Sequence, residues 1–125
     1  DSGIELTQSD VRKLQLAKAA IAAGIDTLLA EAGLAPDYLA VAHLAGGFGS
    51  YLQPLPAAGI GLIPTELVER AEPAGNTALT GAVLLTLSRA ARVRAAELAE
   101  QAQEVGLATH PVFTEQFIEN MGFRG

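Results

Sequence analysis

Apolar residues recur along the first quarter of the chain at steps of three and four. Val11, Leu14, Ala17, Ile21, Ile25, Leu28 and Ala32 fall on this period, which predicts an amphipathic helix from Thr7 to Ala32. Thr7 stands at the N-cap with Asp10 at N3, a relative of the capping box, and Leu6 is placed to staple onto Val11. Gly33 followed by Leu34 reads as a left-handed C-cap with its hydrophobic contact. About 25 residues at 1.5 Å per residue make this helix roughly 37 Å long.

The period then changes. Ala35-Pro36-Asp37 makes a turn, and the apolar run from Tyr38 to Leu44 predicts a strand buried on both faces, as in the middle of a parallel sheet. That run ends abruptly in Ala45-Gly46-Gly47-Phe48-Gly49-Ser50. A short proline-bounded helix is expected around Leu55 to Ile60, then a turn at Pro64, then a second strand over Val68 to Glu72 stopped by Pro73. Asn76 to Ala90 reads as a helix with Leu79, Ala82, Val83, Leu87 and Ala90 facing inward, and a further helix covers Arg92 to Ala102. Glu104 to Ala108 reads as a third strand, and Pro111 at N1 opens a last helix through Met121. No repeat, low-complexity tract or linker interrupts this alternation, so the fold class is α/β.

Composition narrows the partners. A length of 125 residues sets a single domain, 1–125, and 50% hydrophobic residues suffice for a core. Eight Lys+Arg against 14 Asp+Glu leave a net charge of −6, which argues against nucleic acid. The absence of cysteine removes disulfides, thiolate metal sites and cysteine-held iron–sulfur clusters from this chain. No apolar run approaches the ~18 residues of a membrane span, and no basic, apolar leader opens the chain. The expected setting is cytoplasmic, away from membranes. An acidic first residue without an initiator Met suggests a piece of a longer protein.

The candidate chemistry lies where the first strand runs into Gly46-Gly47-Phe48-Gly49. Glycines at the carboxyl end of a buried strand let backbone approach a ligand where a Cβ would collide. A tight strand-to-helix turn without a ligand reads equally well from this loop alone. It is no dinucleotide fingerprint, because Leu52 occupies the third-glycine position, and no Walker loop, because the only lysines are Lys13 and Lys18. A second feature, Glu72 to Ala82, places Asn76 as an N-cap and its helix amides near the same sheet end. Gly81 inside that helix costs about 1 kcal/mol relative to Ala, which suggests close packing there; a capped helix packed on the sheet is the plain structural alternative. His43 and His110 lack metal-ligand spacing: the first reads as a hydrogen-bonded strand residue and the second as a cap of the final helix. Arg89, Arg92 and Arg94 beside Glu97 and Glu100 read as a solvated helix face. No carboxylate pair is placed for acid–base work, so neither catalytic nor metal-binding residues are assigned.

A long helix, a buried strand and then Leu44-Ala45-Gly46-Gly47-Phe48-Gly49 resemble the adenosine motif of the actin, sugar-kinase and heat-shock-chaperone ATPase superfamily. Gly75-Asn76-Thr77-Ala78-Leu79-Thr80-Gly81-Ala82 resembles the helix start that follows it. Within that superfamily the chain is most similar to the reductive activators of corrinoid-dependent methyltransferases. The similar segments are Leu6-Thr7-Gln8-x-Asp10-Val11, Leu14 to Ile21, Leu44 to Tyr51, Ile60-Gly61-Leu62-Ile63-Pro64, Gly75 to Leu79 and His110-Pro111-x-Phe113.

The resemblance implies an actin-like ATPase (ribonuclease H-like) C-terminal subdomain, with few strands and long flanking helices. It further implies a longer iron–sulfur ATPase that binds ATP with Mg, carries a two-iron two-sulfur cluster outside this chain, and delivers an electron to a corrinoid protein. Gly46, Gly47, Phe48 and Gly49 would then lie against adenosine, with Asn76 in support. The acidic Asp-x-Gly-Thr phosphate motif is absent, so this chain would supply one wall only and no catalysis alone. Its partners would be the corrinoid protein, the rest of its own chain and, through an uncovered sheet edge, a second copy in a homodimer. Two alternatives are a docking or dimerisation module with a vestigial nucleotide pocket, and another activator or kinase of the same superfamily.

Overall fold

Thr7 ends an extended segment and starts α1 (Gln8–Ala32) in the computed structural model, which describes residues 3–47 and 51–123. The expected cap is complete. The Asp10 amide donates to Thr7 Oγ1 at 3.2 Å, and the Thr7 amide donates to Asp10 Oδ2 at 3.1 Å. The Thr7 hydroxyl also donates to Asp10 Oδ2 at 2.6 Å. These bonds, the hydroxyl's first, hold the Asp10 carboxyl below its ordinary range. At the other end Gly33 is left-handed (φ 64°), with its amide on Ala30 O and the Leu34 amide on Leu29 O, the Schellman pair. The Leu6 staple is not formed, because Leu6 is 82% exposed.

The contacts resolve two compact units. The first comprises α1, a 3-10 turn at Pro36–Tyr38, α2 (Pro54–Gly59), a 3-10 segment Thr65–Arg70, a 3-10 turn Leu107–Thr109 and α5 (Pro111–Glu119). Prolines at or near N1 start the Pro36 turn, α2 and α5, where the missing amide costs nothing. Its core is small and aliphatic: Ala19, Ala22, Ala23, Ala57, Ala58, Leu62, Ile63 and Leu67. α1 packs chiefly against α5, and Gly24 lies opposite Leu107, 3.8 Å from where its Cβ would stand.

The buried side of α1 is therefore not the predicted stripe. Lys18, Ala19, Ala22, Ala23 and Thr27 are buried, whereas Leu14, Ala17, Ile21, Leu28 and Ala32 are exposed and Val11 and Ile25 half-buried. Small side chains let another element approach the α1 backbone closely, and the period alone cannot tell which side a neighbour covers. Thr27 meets its burial by donating its hydroxyl to Ala23 O at 2.7 Å.

The second unit holds β1 (Ala42–Ala45), β2 (Ala71–Gly75), α3 (Thr77–Leu87) and α4 (Arg89–Gln101). The two strands pair in parallel, Ala42 opposite Ala71, His43 opposite Glu72, Leu44 opposite Pro73 and Ala45 opposite Gly75. Several expectations are corrected here. β1 is shorter than Tyr38 to Leu44 and alternates half-buried and exposed, because no second layer covers it among the described residues; Tyr38 sits in the preceding turn that Pro36 starts. β2 begins after, not at, Val68 and runs through Pro73. The ring lacks an amide, and the register shifts immediately beyond it, between Leu44 and Ala45. Glu104 to Ala108 is not a strand: Thr109 and His110 fold back onto Gly106 and Leu107 in a 3-10 turn. The described sheet thus has two strands rather than three. Ser88 divides the helical stretch, ending α3 and capping α4 through its Oγ on the Ala91 amide at 3.2 Å.

Candidate functional site

Both strands of the second unit run the same way, so their carboxyl ends lie side by side, and each passes into a left-handed glycine. Gly46 has φ 73° and Gly75 φ 63°. The Gly46 amide donates to Gly75 O at 2.8 Å, which locks the two turns together. Positive φ is a region glycine enters freely and other residues enter at a cost. Gly47 does not share it. Among the described residues, chain neighbours aside, a Cβ added at Gly46, Gly47 or Gly75 would meet no atom within 4 Å, so the space beside these backbones is open there. That is the property required for a ligand to approach the main chain.

Asn76 follows Gly75 directly and caps α3. Its Oδ1 accepts from the Leu79 amide at 3.0 Å, and its carbonyl accepts from the Thr80 amide and hydroxyl. The amides of Thr77 and Ala78 have no carbonyl one turn earlier in the helix to donate to. With the partial positive charge of a helix N-terminus, the arrangement offers donors and open backbone at one end of a parallel sheet, where ligands of α/β proteins bind. Gly46, Gly47 and Asn76 are thereby brought together. Phe48 and Gly49 lie outside the described residues.

The other marked positions sort differently. His43 and Glu72 are paired across the strands on the exposed face, with 3.9 Å between Nδ1 and Oε2. His110 occupies the N-cap position of α5 but its ring does not cap; Nε2 lies 2.8 Å from Glu31 Oε1, on the last turn of α1. Its buried Nδ1 has no hydrogen-bond partner. Gly81 is half-buried, and a Cβ there meets nothing within 4 Å, so close packing within the described residues does not require it. Arg94 pairs with Glu97 at 3.1 Å on the exposed face of α4, and Arg92 donates to Leu85 O at 2.7 Å.

Two positions were not assigned a role from the sequence, although Gly75 stands in the segment that resembles the helix start. Gly75 is the partner of Gly46, and the signal was present: each glycine follows a strand, and Gly75 directly precedes an N-cap. Arg70, in the first unit, donates through one guanidinium nitrogen to the carbonyls of Pro36 (3.4 Å), Asp37 (2.8 Å) and Leu39 (3.2 Å). It ties the turn leading into β1 to the segment leading into β2. No local pattern marks it.

No helix among the described residues is long and apolar enough to cross a membrane, and no group of three or more potential metal ligands occurs among them. Against known proteins, the family described as the C-terminal domain of RACo, the ASKHA domain, matches residues 1–125. The chain is 37% identical over 120 residues to the corrinoid activation enzyme RamQ of Eubacterium limosum, covering 96% of this chain and 20% of that protein. Among solved structures it is similar to a reductive activator for corrinoid, iron-sulfur protein, with a TM-score of 0.87 and 34% identity. That match covers 94% of this chain and 19% of the other. The chain spans about a fifth of the length of these relatives.

Proposed function

The chain belongs to the family of the C-terminal ASKHA domain of RACo, and from that premise we propose that it forms the adenosine-side wall of an ATP site in a longer reductive activator of corrinoid proteins. The observation that carries this reading is the link between the two left-handed glycines, Gly46 N–H to Gly75 O, beside an Asn76-capped helix start. It sets two stretches of open backbone and a set of helix amides at one sheet end. Gly46, Gly47, Phe48 and Gly49 border the adenosine, and Asn76 holds the helix that borders it from the second strand.

The residues fit that group as one wall and no more. The only lysines, Lys13 and Lys18, lie on α1 and no acidic phosphate motif is present, so Mg and the phosphates are held by the remainder of the longer chain. When bound, ATP supplies the free energy for an uphill reduction of a corrinoid protein. A two-iron two-sulfur cluster cannot be held here, because the chain has no cysteine; it belongs to another part of the same protein. The full-length protein works in the cytoplasm as a homodimer that docks its corrinoid partner.

Substituting Gly47→Val in the full-length protein tests the reading. A Cβ at this position meets no atom of the other described residues within 4 Å, so the branched side chain is expected to occupy the space the ligand needs. ATP turnover should fall at least about tenfold, equivalent to about 1.4 kcal/mol, with an unchanged thermal melt. Full turnover in a folded variant removes Gly47 from the site.

A further inference from the structure

Arg70 directly precedes Ala71, where β2 begins, and only Ala40 and Val41 separate Leu39 from Ala42, where β1 begins. One nitrogen of the half-buried Arg70 guanidinium donates to the carbonyls of Pro36, Asp37 and Leu39, the first two in the 3-10 turn and the third at its C-cap. A cation is favoured where the last carbonyls of a helical turn converge. The tie therefore joins, within the first unit, the two chain segments that enter the strands.

The strand pair beyond them has little of its own to fix its register. Four residue pairs join β1 to β2, Pro73 brings no amide to the ladder, and the register shifts between Leu44 and Ala45. In so short a ladder a slip of two residues keeps the same side chains on the same face and is the nearest competing arrangement. It moves one strand by about 6.6 Å along the other, at roughly 3.3 Å per residue. The Gly46 amide, 2.8 Å from Gly75 O in the observed register, would no longer reach it. Such a slip requires Leu39 and Arg70 to separate lengthwise, and that breaks the guanidinium bonds.

We propose that Arg70 is a positioning residue for the nucleotide site: by holding the carbonyls before β1 it sets the start of both strands, and thereby the meeting of Gly46 and Gly75 at their ends. The consequence for ATP rests on the adenosine-wall reading; the consequence for register rests on the hydrogen bonds alone. Arg70 acts through the strands and not on the nucleotide.

Arg70→Met in the full-length protein removes the donors and keeps an apolar stem. Hydrogen exchange should show the Gly46 amide losing protection by about tenfold or more, the worth of a hydrogen bond to a charged group, while the amides of α1 keep theirs. KM for ATP should rise by at least about fivefold with kcat little changed, the pattern of lost uniform binding; a smaller folded fraction would lower kcat and leave KM. Arg70→Lys, which restores a cationic donor, should recover most of both losses. Should Arg70→Met not fold, Arg70→Gln replaces it, with its donor nitrogen nearer the backbone and the same losses expected. Unchanged Gly46 protection in the folded variant overturns the inference. Loosened Gly46 with an unchanged KM also overturns it, and leaves Arg70 a structural tie. Gly47→Val then separates the two readings: reduced turnover there leaves the adenosine wall standing and strikes only Arg70, whereas full turnover removes the wall as well.

Discussion

Alanine at Gly46 and alanine at Gly47, made separately in the full-length protein, form a matched pair. Both substitutions remove a glycine from the unfolded chain, which stabilises by about 0.4–1 kcal/mol where the native backbone tolerates a Cβ. Both new Cβ atoms enter open space. The one difference is the backbone: Gly46 sits at φ 73° and Gly47 outside the positive-φ region. A left-handed alanine costs roughly 1–2 kcal/mol. Subtracting one variant from the other cancels the unfolded-state term, so Gly46→Ala should be less stable than Gly47→Ala by about 1–2 kcal/mol. The strain acts where the Gly46 amide is bonded to Gly75 O, so the quantity to measure is local opening of residues 42–47 by hydrogen exchange. A difference of that size is roughly a five- to thirtyfold change in the opening equilibrium. Equal protection in the two variants would refute the reasoning, because the left-handed turn would then not constrain the strand ends.

Three other substitutions probe the frame around the site. Thr7→Ala should cost about 1 kcal/mol of α1 stability and let Asp10 titrate closer to its ordinary value; because the folded carboxyl is held low, its contribution is present above the unfolded pKa and lost as the pH falls through the folded one. A carbon-detected pH titration that finds Asp10 unmoved by the substitution counts against the capping box. Ala23→Leu places a large side chain at a fully buried position of α1 and should cost roughly 1–3 kcal/mol by overpacking; a denaturant midpoint within error of the parent sequence contradicts the packing described. His110→Ala removes the 2.8 Å contact to Glu31 and should cost about 1 kcal/mol, discounted for the half-exposed carboxylate. Unchanged exchange at the start of α5 would show the contact to be inert.

Local punctuation was legible in the sequence. Thr7 with Asp10, Gly33, Asn76 and Pro111 each satisfy or remove backbone groups within a few residues, so their roles need no tertiary information. The resemblance to the ATPase superfamily was carried by similarly local features, the glycines at the two strand ends and the helix start after them. What faces what was not legible. Leu14, Ile21 and Leu28 share a helical period, but the side of α1 that is buried is set by where small residues admit a neighbour. Leu79, Val83 and Leu87 read as inward on the same reasoning and are exposed, since nothing among the described residues covers them. The run Glu104 to Ala108 was too short for its period to separate a strand from a turn, and the 3-10 bonds onto Gly106 and Leu107 decided it. Positive φ falls at Gly46 rather than its neighbour Gly47, a distinction between adjacent glycines that composition does not carry.

The most direct test of the adenosine wall is photolabelling of the full-length protein with an adenine-azido analogue of ATP, followed by peptide mapping. The proposed site predicts labelled peptides containing Gly46-Gly47 or Gly75-Asn76, protected by excess ATP and lost in Gly47→Val. Labelling confined to peptides outside these 125 residues, with ATP still protecting, would contradict it.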